Sequence, residues 1–388
     1  MDGDRKRLIF VITQPVVGGA QKYVFDLAKD FNQNYQVSVA CGGDKNGDLF
    51  QKLGKEKITA HHLKFLGREI KPGDDVLAFF EILKLFKSER PDIIHLNSSK
   101  AGLLGSLAAF FYQLSAKNYK PKIVFTAHGW IFKEDLSKWK KRAVVFLAWF
   151  SAKFQDKIIC VSQNDFDQAL KYKVAAARKL QVVHNGAGEV KFLTKKKARD
   201  EVSKLISREI SVNDFLIVNF GRLYANKGLS YLIQAVQETR NKYQNLILVI
   251  FGDGPEREAL QLLITNYQLQ NTVFLAGDMP EVSKYLKAFD ALVLSSTKEG
   301  FPYSILEAGL AGVPVVATDV GGVGEMVVNN QTGFLVEPKD SNALAKAVEN
   351  IMANPNQAKK MAADLKKTVS QKFSFKDMVS KTEWVYKV

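Results

Sequence analysis

The sequence predicts an α/β protein made of two doubly wound domains, each a mostly parallel sheet with helices on both faces. Three observations carry that expectation. Short β-branched runs alternate with helical stretches along nearly the whole chain, the beat of βαβ units. Many of those runs are apolar at almost every position, as parallel strands covered on both faces must be. The beat breaks once, at NGAGEVKFLTKKKARDEVSKLISREISVND (185–214), a charged segment with no strand candidate that reads as a linker followed by a helix.

The strand candidates follow in order. Before the break they are LIFVIT (8–13), YQVSVAC (35–41), ITAHHL (58–63), DIIHLN (92–97), KIVFTA (122–127), KIICVS (157–162) and LQVVHN (180–185). After it come FLIVNF (215–220), LILVIF (246–251), TVFLA (272–276), DALVLS (290–295), PVVAT (314–318) and GFLV (333–336). The domains are expected at 1–190 and 191–370, with a closing segment at 371–388. A cleft between two such domains would be lined by the carboxyl ends of both sheets, where this architecture binds ligands.

Composition bounds the rest. The 388 residues are 46% hydrophobic and 24% charged, ordinary for a globular protein with a sizeable core. Cys41 and Cys160 sit in strand candidates, which argues against a disulfide framework and fits a reducing cytoplasm. The basic start leads into an apolar run, LIFVIT, too short for a signal peptide. The longest nearly uncharged helical run, AGLLGSLAAFFYQL, is too short to span a bilayer. The net charge is +15, and residues 1–200 hold 35 Lys and Arg against 20 Asp and Glu. Residues 201–350 are net acidic. The first half is therefore expected to meet something anionic: nucleic acid, lipid or a phosphorylated substrate.

Several constellations fall at strand ends. Gly18-Gly19 enters a helix after the first strand, where backbone N–H groups suit a phosphate; a plain tight turn is the alternative. GRLYANKG (221–228) places Arg222 and Lys227 after a strand, an arginine fork and a lysine point charge that together match a diphosphate. VIFGDGPEREAL (249–260) lacks the third glycine of a dinucleotide fingerprint and reads as a turn, with Pro255 in the first turn of the next helix. His128 ends the strand of VFTAHGW, at the edge where ligands bind, although a structural histidine is as good a reading. Asp165 and Asp167 spell a metal-binding pair but are better explained by a helix start, and no metal site or cofactor is predicted.

EGFPYSILEAGLAGVPVVAT (299–318) carries only two charges, Glu299 and Glu307. Ser304 and Glu307 have capping-box spacing, which gives Glu307 a structural reading as well as a functional one. Nothing comparable explains Glu299. Carboxylates accept from vicinal hydroxyls, while N–H groups and the Arg222/Lys227 pair hold phosphates. A nucleotide sugar has those parts.

Together these segments resemble the family 4 retaining glycosyltransferases of the GT-B fold, which has two Rossmann-like domains. The likeness runs through GGAQKYVFDLA, PDIIHLNSSKAGLLG, TAHGW, IICVSQND, VVHNGA, GRLYANKG, VIFGDGPE, VFLAGD, EGFPYSILEA, VVATDVGGVGEMV and TGFLV. HGWIF is similar to bacterial enzymes that build capsular or exopolysaccharide units on lipid carriers. The resemblance implies an acceptor-binding first domain, a donor-binding second domain and a last helix that crosses back to the first. It implies that Arg222 and Lys227 bind the donor diphosphate with help from Gly18 and Gly19. Glu307 would hold the ribose, and Glu299 the donor sugar, with Gly300, Phe301, Ser304 and Ile305 completing the cradle. His128 would reach the sugar near the reacting carbon. It further implies a hexosyl or N-acetylhexosaminyl donor, UDP-linked, metal-independent transfer with retention, and a lipid-linked saccharide acceptor. The chain departs from the pattern at His95-Leu96-Asn97, where many relatives have His-x-His, and at Ala187-Gly188-Glu189, where many have an earlier acid. Both positions bear on the acceptor.

Residues 117–157 carry ten Lys and Arg against three acids. Within them SKWKKRAVVFLAWFSAKF (137–154) has helical spacing. Trp139, Ala143, Phe146, Phe150 and Phe154 form a stripe expected to face the core. Lys138, Lys141, Arg142, Val145, Trp149 and Lys153 lie roughly opposite, a face suited to anionic lipid headgroups. The expected location is the cytoplasm, peripheral at the inner face of the membrane. A nucleic-acid reader would need interleaved aromatics on a recognition module, and none is present. An epimerase of the same fold would need further acid/base carboxylates. A synthase with a soluble acceptor is opposed only by the basic helix.

Overall fold

The computed structural model describes residues 5–16, 18–115, 119–134 and 136–388. Residues 1–4 of the basic start, and Lys117 and Asp135 of the basic stretch, lie outside them. The chain forms two compact units, residues 1–184 with 378–388, and residues 185–377.

The first unit holds a seven-stranded sheet in the order β3-β2-β1-β4-β5-β6-β7. Its strands are β1 (Arg7–Ile12), β2 (Gln36–Cys41), β3 (Thr59–His62), β4 (Ile93–Leu96), β5 (Lys122–Ala127), β6 (Lys157–Cys160) and β7 (Leu180–Val182). Between them run α1 (Gly19–Phe31), α2 (Asp48–Lys55), α3 (Pro72–Glu89), α4 (Ser99–Ser115), α5 (Lys138–Ala152) and α6 (Gln163–Lys171). Every pairing is parallel, and β1, β4 and β6 are buried along nearly their whole length. Their unbroken apolar runs follow from that double cover.

The second unit holds a six-stranded parallel sheet in the order β10-β9-β8-β11-β12-β13. Its strands are β8 (Phe215–Phe220), β9 (Leu246–Phe251), β10 (Val273–Gly277), β11 (Ala291–Leu294), β12 (Val315–Thr318) and β13 (Phe334–Val336). The helices are α7 (Lys195–Leu205), α8 (Leu229–Arg240), α9 (Arg257–Asn266), α10 (Tyr303–Ala311), α11 (Val323–Met326), α12 (Ser341–Ala353) and α13 (Pro355–Lys372), and the last helix, α14 (Phe375–Lys387), belongs from Met378 on to the first unit. Each sheet reverses its winding once, between β1 and β4 in the first and between β8 and β11 in the second. A doubly wound sheet opens a crevice at that reversal, at the carboxyl ends of the strands.

All the strand candidates form strands. Three local expectations are corrected. Helix α9 starts at Arg257, so Pro255 lies in the turn before it. The first unit ends at His184 and reclaims the chain from Met378, rather than ending at 190 with a closing segment from 371. The third correction concerns α5. Its core side is Val144, Val145 and Ala148, with Ser151 and Ala152 buried at its end. Trp139 and Phe146 of the expected core stripe are instead 68% and 57% exposed, and Ala143 is exposed too. The narrow β-branched and small residues also recur at helical spacing, and they let α5 lie close against its neighbours where bulky rings would not. Only Phe150 and Phe154 of the stripe are partly covered, the latter with its ring 4.9 Å from that of Phe110 on α4.

Candidate active site

In the second unit the site is assembled at the reversal of the sheet. The chain leaving β8 makes a single 3-10 turn, Ala225–Lys227, and Gly228 then caps α8 in the left-handed conformation at φ 60°. A Cβ on Gly228 would stand 2.2 Å from the Ser295 carbonyl oxygen, so only glycine fits there. The loop leaving β11 is stitched to this turn. The Thr297 N–H donates to the Asn226 carbonyl at 2.8 Å and the Ser295 hydroxyl to the Lys227 carbonyl at 3.0 Å. Two loops that start on neighbouring strands thus present their charges side by side.

Lys227 Nζ donates to Glu299 Oε1 at 2.7 Å, and the Ser296 hydroxyl donates to the same oxygen at 2.6 Å. Both bonds fall on Oε1, which leaves Oε2 to accept from a ligand hydroxyl. The Arg222 guanidinium lies 4.8 Å from the Tyr224 ring centre and donates from Nη2 to its hydroxyl at 3.0 Å, so its fork is held by a neighbour two residues on. The Glu299 backbone is braced from a third strand. Gly321, after β12, has φ 60°, and a Cβ there would stand 1.9 Å from the Glu299 carbonyl oxygen. The next N–H, of Gly322, donates to the Gly300 carbonyl at 2.8 Å.

Helix α10 follows directly. It starts at Tyr303 with Pro302 as its cap and no side-chain capping bond. Ser304 therefore lies inside the first turn, and the capping-box reading of Ser304 and Glu307 is set aside. Pro302, with φ −73° and ψ 126°, is the cap, two residues before the expected serine. Glu307 sits on the second turn, only 9% exposed. Phe301 and Ile305 are buried, the Phe301 ring 5.1 Å from that of Phe373. What these two can offer a ligand is backbone. The Phe301 carbonyl is itself held by Asn185 Nδ2 at 2.7 Å.

In the first unit Gly18, extended at φ 176°, caps α1, and Gly19 is its exposed first residue. His128 follows β5 and is half-buried. Its Nε2 lies 3.3 Å from Asn97 Oδ1, and its ring meets Tyr23 edge-on at 4.8 Å. Burial pushes its imidazole down to about 3, so it is neutral at physiological pH. Behind it is a polar chain that the sequence did not announce. His95 Nδ1 and the Tyr386 hydroxyl of α14 are 2.6 Å apart, and His95 Nε2 and the Thr126 hydroxyl are also 2.6 Å apart. The Tyr23 hydroxyl reaches Thr126 at 3.3 Å. His95 is likewise held at about 3, by burial first and by His128 second.

The metal-like spelling at Asp165 and Asp167 is a helix start: Ser162 caps α6 by accepting from the Asp165 N–H at 3.0 Å. The Asp165 carboxylate pairs with Lys133 at 3.3 Å. Among the described residues no three His, Cys, Asp or Glu side chains gather as a metal site.

Residues 17–187 match the family described as Glycosyltransferase Family 4, and residues 201–368 match Glycosyl transferases group 1. The chain is a glycosyltransferase, with a family 4 domain in its first half and a group 1 domain in its second. Its curated relatives include the UDP-Gal:alpha-D-GlcNAc-diphosphoundecaprenol alpha-1,3-galactosyltransferase of Escherichia coli, 29% identical over 89% of this chain and 87% of that one. The capsular polysaccharide biosynthesis glycosyltransferase CapM of Staphylococcus aureus is 27% identical over 84% of each. Anabaena HepE in complex with UDP-glucose superposes with a TM-score of 0.82 at 22% identity, covering 98% of this chain and 100% of that chain. Sucrose-phosphate synthase of Thermosynechococcus elongatus gives 0.81 at 21%, covering 99% and 98%. The fold of this glycosyltransferase is GT-B.

Proposed function

We propose that this glycosyltransferase moves a hexosyl or N-acetylhexosaminyl group from a UDP-sugar to a lipid-linked saccharide, with retention, in cell-surface polysaccharide synthesis. The observation that carries the reading is the set of Arg222, Lys227 and Glu299 at the reversal of the second sheet. Lys227 stands beside a carboxylate suited to sugar hydroxyls, on loops stitched to each other, and Arg222 leaves the same strand as Lys227, which gives two cations suited to a diphosphate. The Escherichia coli relative, named for a UDP-Gal donor and a diphosphoundecaprenol acceptor, supports both ends of the reaction.

In this reading Arg222 and Lys227 hold the diphosphate, helped by Gly18 and Gly19. Glu307 accepts from the ribose. Glu299, with Gly300, Phe301, Ser304 and Ile305 around it, holds the sugar. His128, neutral, offers its imidazole near the reacting carbon. The bond from the anomeric carbon to the diphosphate oxygen breaks as the acceptor oxygen bonds to that carbon. The acceptor proton passes to the leaving diphosphate, on whose face attack occurs, so the configuration is kept. The two cations gain most from the charge that grows on the leaving group, which is what lowers the barrier.

The enzyme is expected to work peripherally at the inner membrane face. No helix among the described residues is long and apolar enough to cross a membrane. Exposed Trp139, Phe146 and Trp149 on α5 are continued, through ring contacts of Phe150, Phe154 and Phe110, by exposed Phe111 on α4 and Phe80 on α3, an apolar surface beside the cations of α5 that suits an anionic bilayer.

Incubating the purified chain with a panel of nucleotide sugars, and following donor hydrolysis, tests the reading. A UDP-sugar is expected to be consumed, with full rate in EDTA, and an α-linked donor to give an α-linked product by NMR. Inertness to every donor, or restoration by manganese after EDTA, contradicts it.

A further inference from the structure

A cavity of about 540 Å³ opens on the first unit between α5 and the turn that ends α6. Lys138, Lys141 and Arg142 line it from α5, and Lys173 from the turn. Val145, Phe146, Trp149 and Tyr172 supply apolar wall, and among the described residues no carboxylate lines it. Among the described residues none of the four cations forms an ion pair, although the chain spends many of its other lysines in such pairs. Lys141 Nζ lies 5.1 Å from the Tyr172 ring centre. It draws that phenol below its ordinary value, first by hydrogen bonding and then by charge. The positive field is thus directed into the cavity from two sides. Trp149 is shared with a second hollow of about 390 Å³, lined in turn by Lys153, Lys173 and Arg178, and Lys153 Nζ stands 3.9 Å from the Trp149 ring centre.

We propose that this cavity is a discrete site for the phosphate of a membrane lipid headgroup, with Lys141, Arg142 and Lys173 as its donors. A guanidinium fork and two ammonium groups around a concave floor fit a phosphate better than a convex basic face does. The exposed ring of Phe146 in its wall, with exposed Trp139 next to Lys138 on the same helix, favours a phosphate that carries an apolar chain over a soluble one. The inference rests on the peripheral-membrane reading and deepens it, since a diffuse basic face would value each cation of α5 alike and would give Lys173 no special part.

The test compares single variants of equal charge change. Lys140 lies on α5, exposed, but outside the cavity. Full-length wild type, Lys140→Gln, Lys141→Gln and Lys173→Gln are sedimented with vesicles of neutral lipid containing phosphatidic acid, with circular dichroism and UDP binding as checks on folding. The site predicts that Lys141→Gln and Lys173→Gln each weaken vesicle binding by about tenfold or more, and Lys140→Gln by no more than about threefold. Equal losses in all three overturn the site and leave a diffuse attachment standing. No sedimentation of wild type overturns both. Glycerol phosphate or a DNA duplex that binds at this cavity while vesicles do not would also overturn the lipid assignment.

Discussion

At the scale of single residues, charge in apolar surroundings was the legible signal. Arg222, Lys227 and Glu299 stand out in the sequence because little structural explains them, and the fold sets Lys227 against Glu299 at 2.7 Å. Ser304 misled because spacing does not say where a helix starts, and Pro302 starts this one. His95 was illegible as a network member because its partner Tyr386 lies 291 residues away. That network has a pH consequence. Burial holds His95 down to about 3, while in the unfolded chain it takes up a proton near its ordinary value of about 6.5. Between those values the unfolded state binds the extra proton, so stability is full above about pH 6.5 and falls as pH drops toward 3. His95→Gln is expected to cost about 1–3 kcal/mol at pH 7.5, by stripping partners from two buried hydroxyls. It should then lose less than wild type does on going to pH 5. Urea unfolding at both pH values reads this, and equal losses would remove the histidine from the account.

At the scale of elements, strands were legible and helix faces less so. A strand buried on both sides writes its burial as a continuous apolar run, as β9 does in LILVIF. A helix writes only a period, and α5 carries two apolar stripes at that period, aromatic and small. Packing chose the small one, because Val144 and Ala148 permit a close approach and the rings do not. Loops are held by contacts that no period reports. Gly321 is such a contact, left-handed and touching the Glu299 carbonyl. Gly321→Ala would incur about 1 kcal/mol for the backbone alone, and its methyl would push the Glu299 loop out of place. The expected result is a lowered urea midpoint with UDP affinity weakened several-fold. A normal midpoint and normal affinity would show that the loop does not depend on this brace.

At the scale of the whole chain, the two-sheet architecture and the place where each sheet reverses follow from the alternation of runs and the one charged break. The return of the C-terminus was expected only through resemblance. Met378, Thr382, Val385 and Tyr386 are buried in α14, and the residues from Met378 count with the first unit. Stopping the chain after Asp377 removes those contacts, each apolar side chain contributing about 1.5–3 kcal/mol. Proteolysis is expected to speed up within residues 1–184 and much less within 185–377; equal speeding of both would contradict this division. The central claim, a nucleotide-sugar site built on Arg222, Lys227, Glu299 and Glu307, is tested most directly by calorimetric titration of UDP into the full-length protein and its Arg222→Ala and Glu307→Gln variants. Wild type should bind, and the loss of charged hydrogen bonds should weaken each folded variant on the order of 10- to 100-fold. Undiminished UDP affinity in both variants would contradict the site.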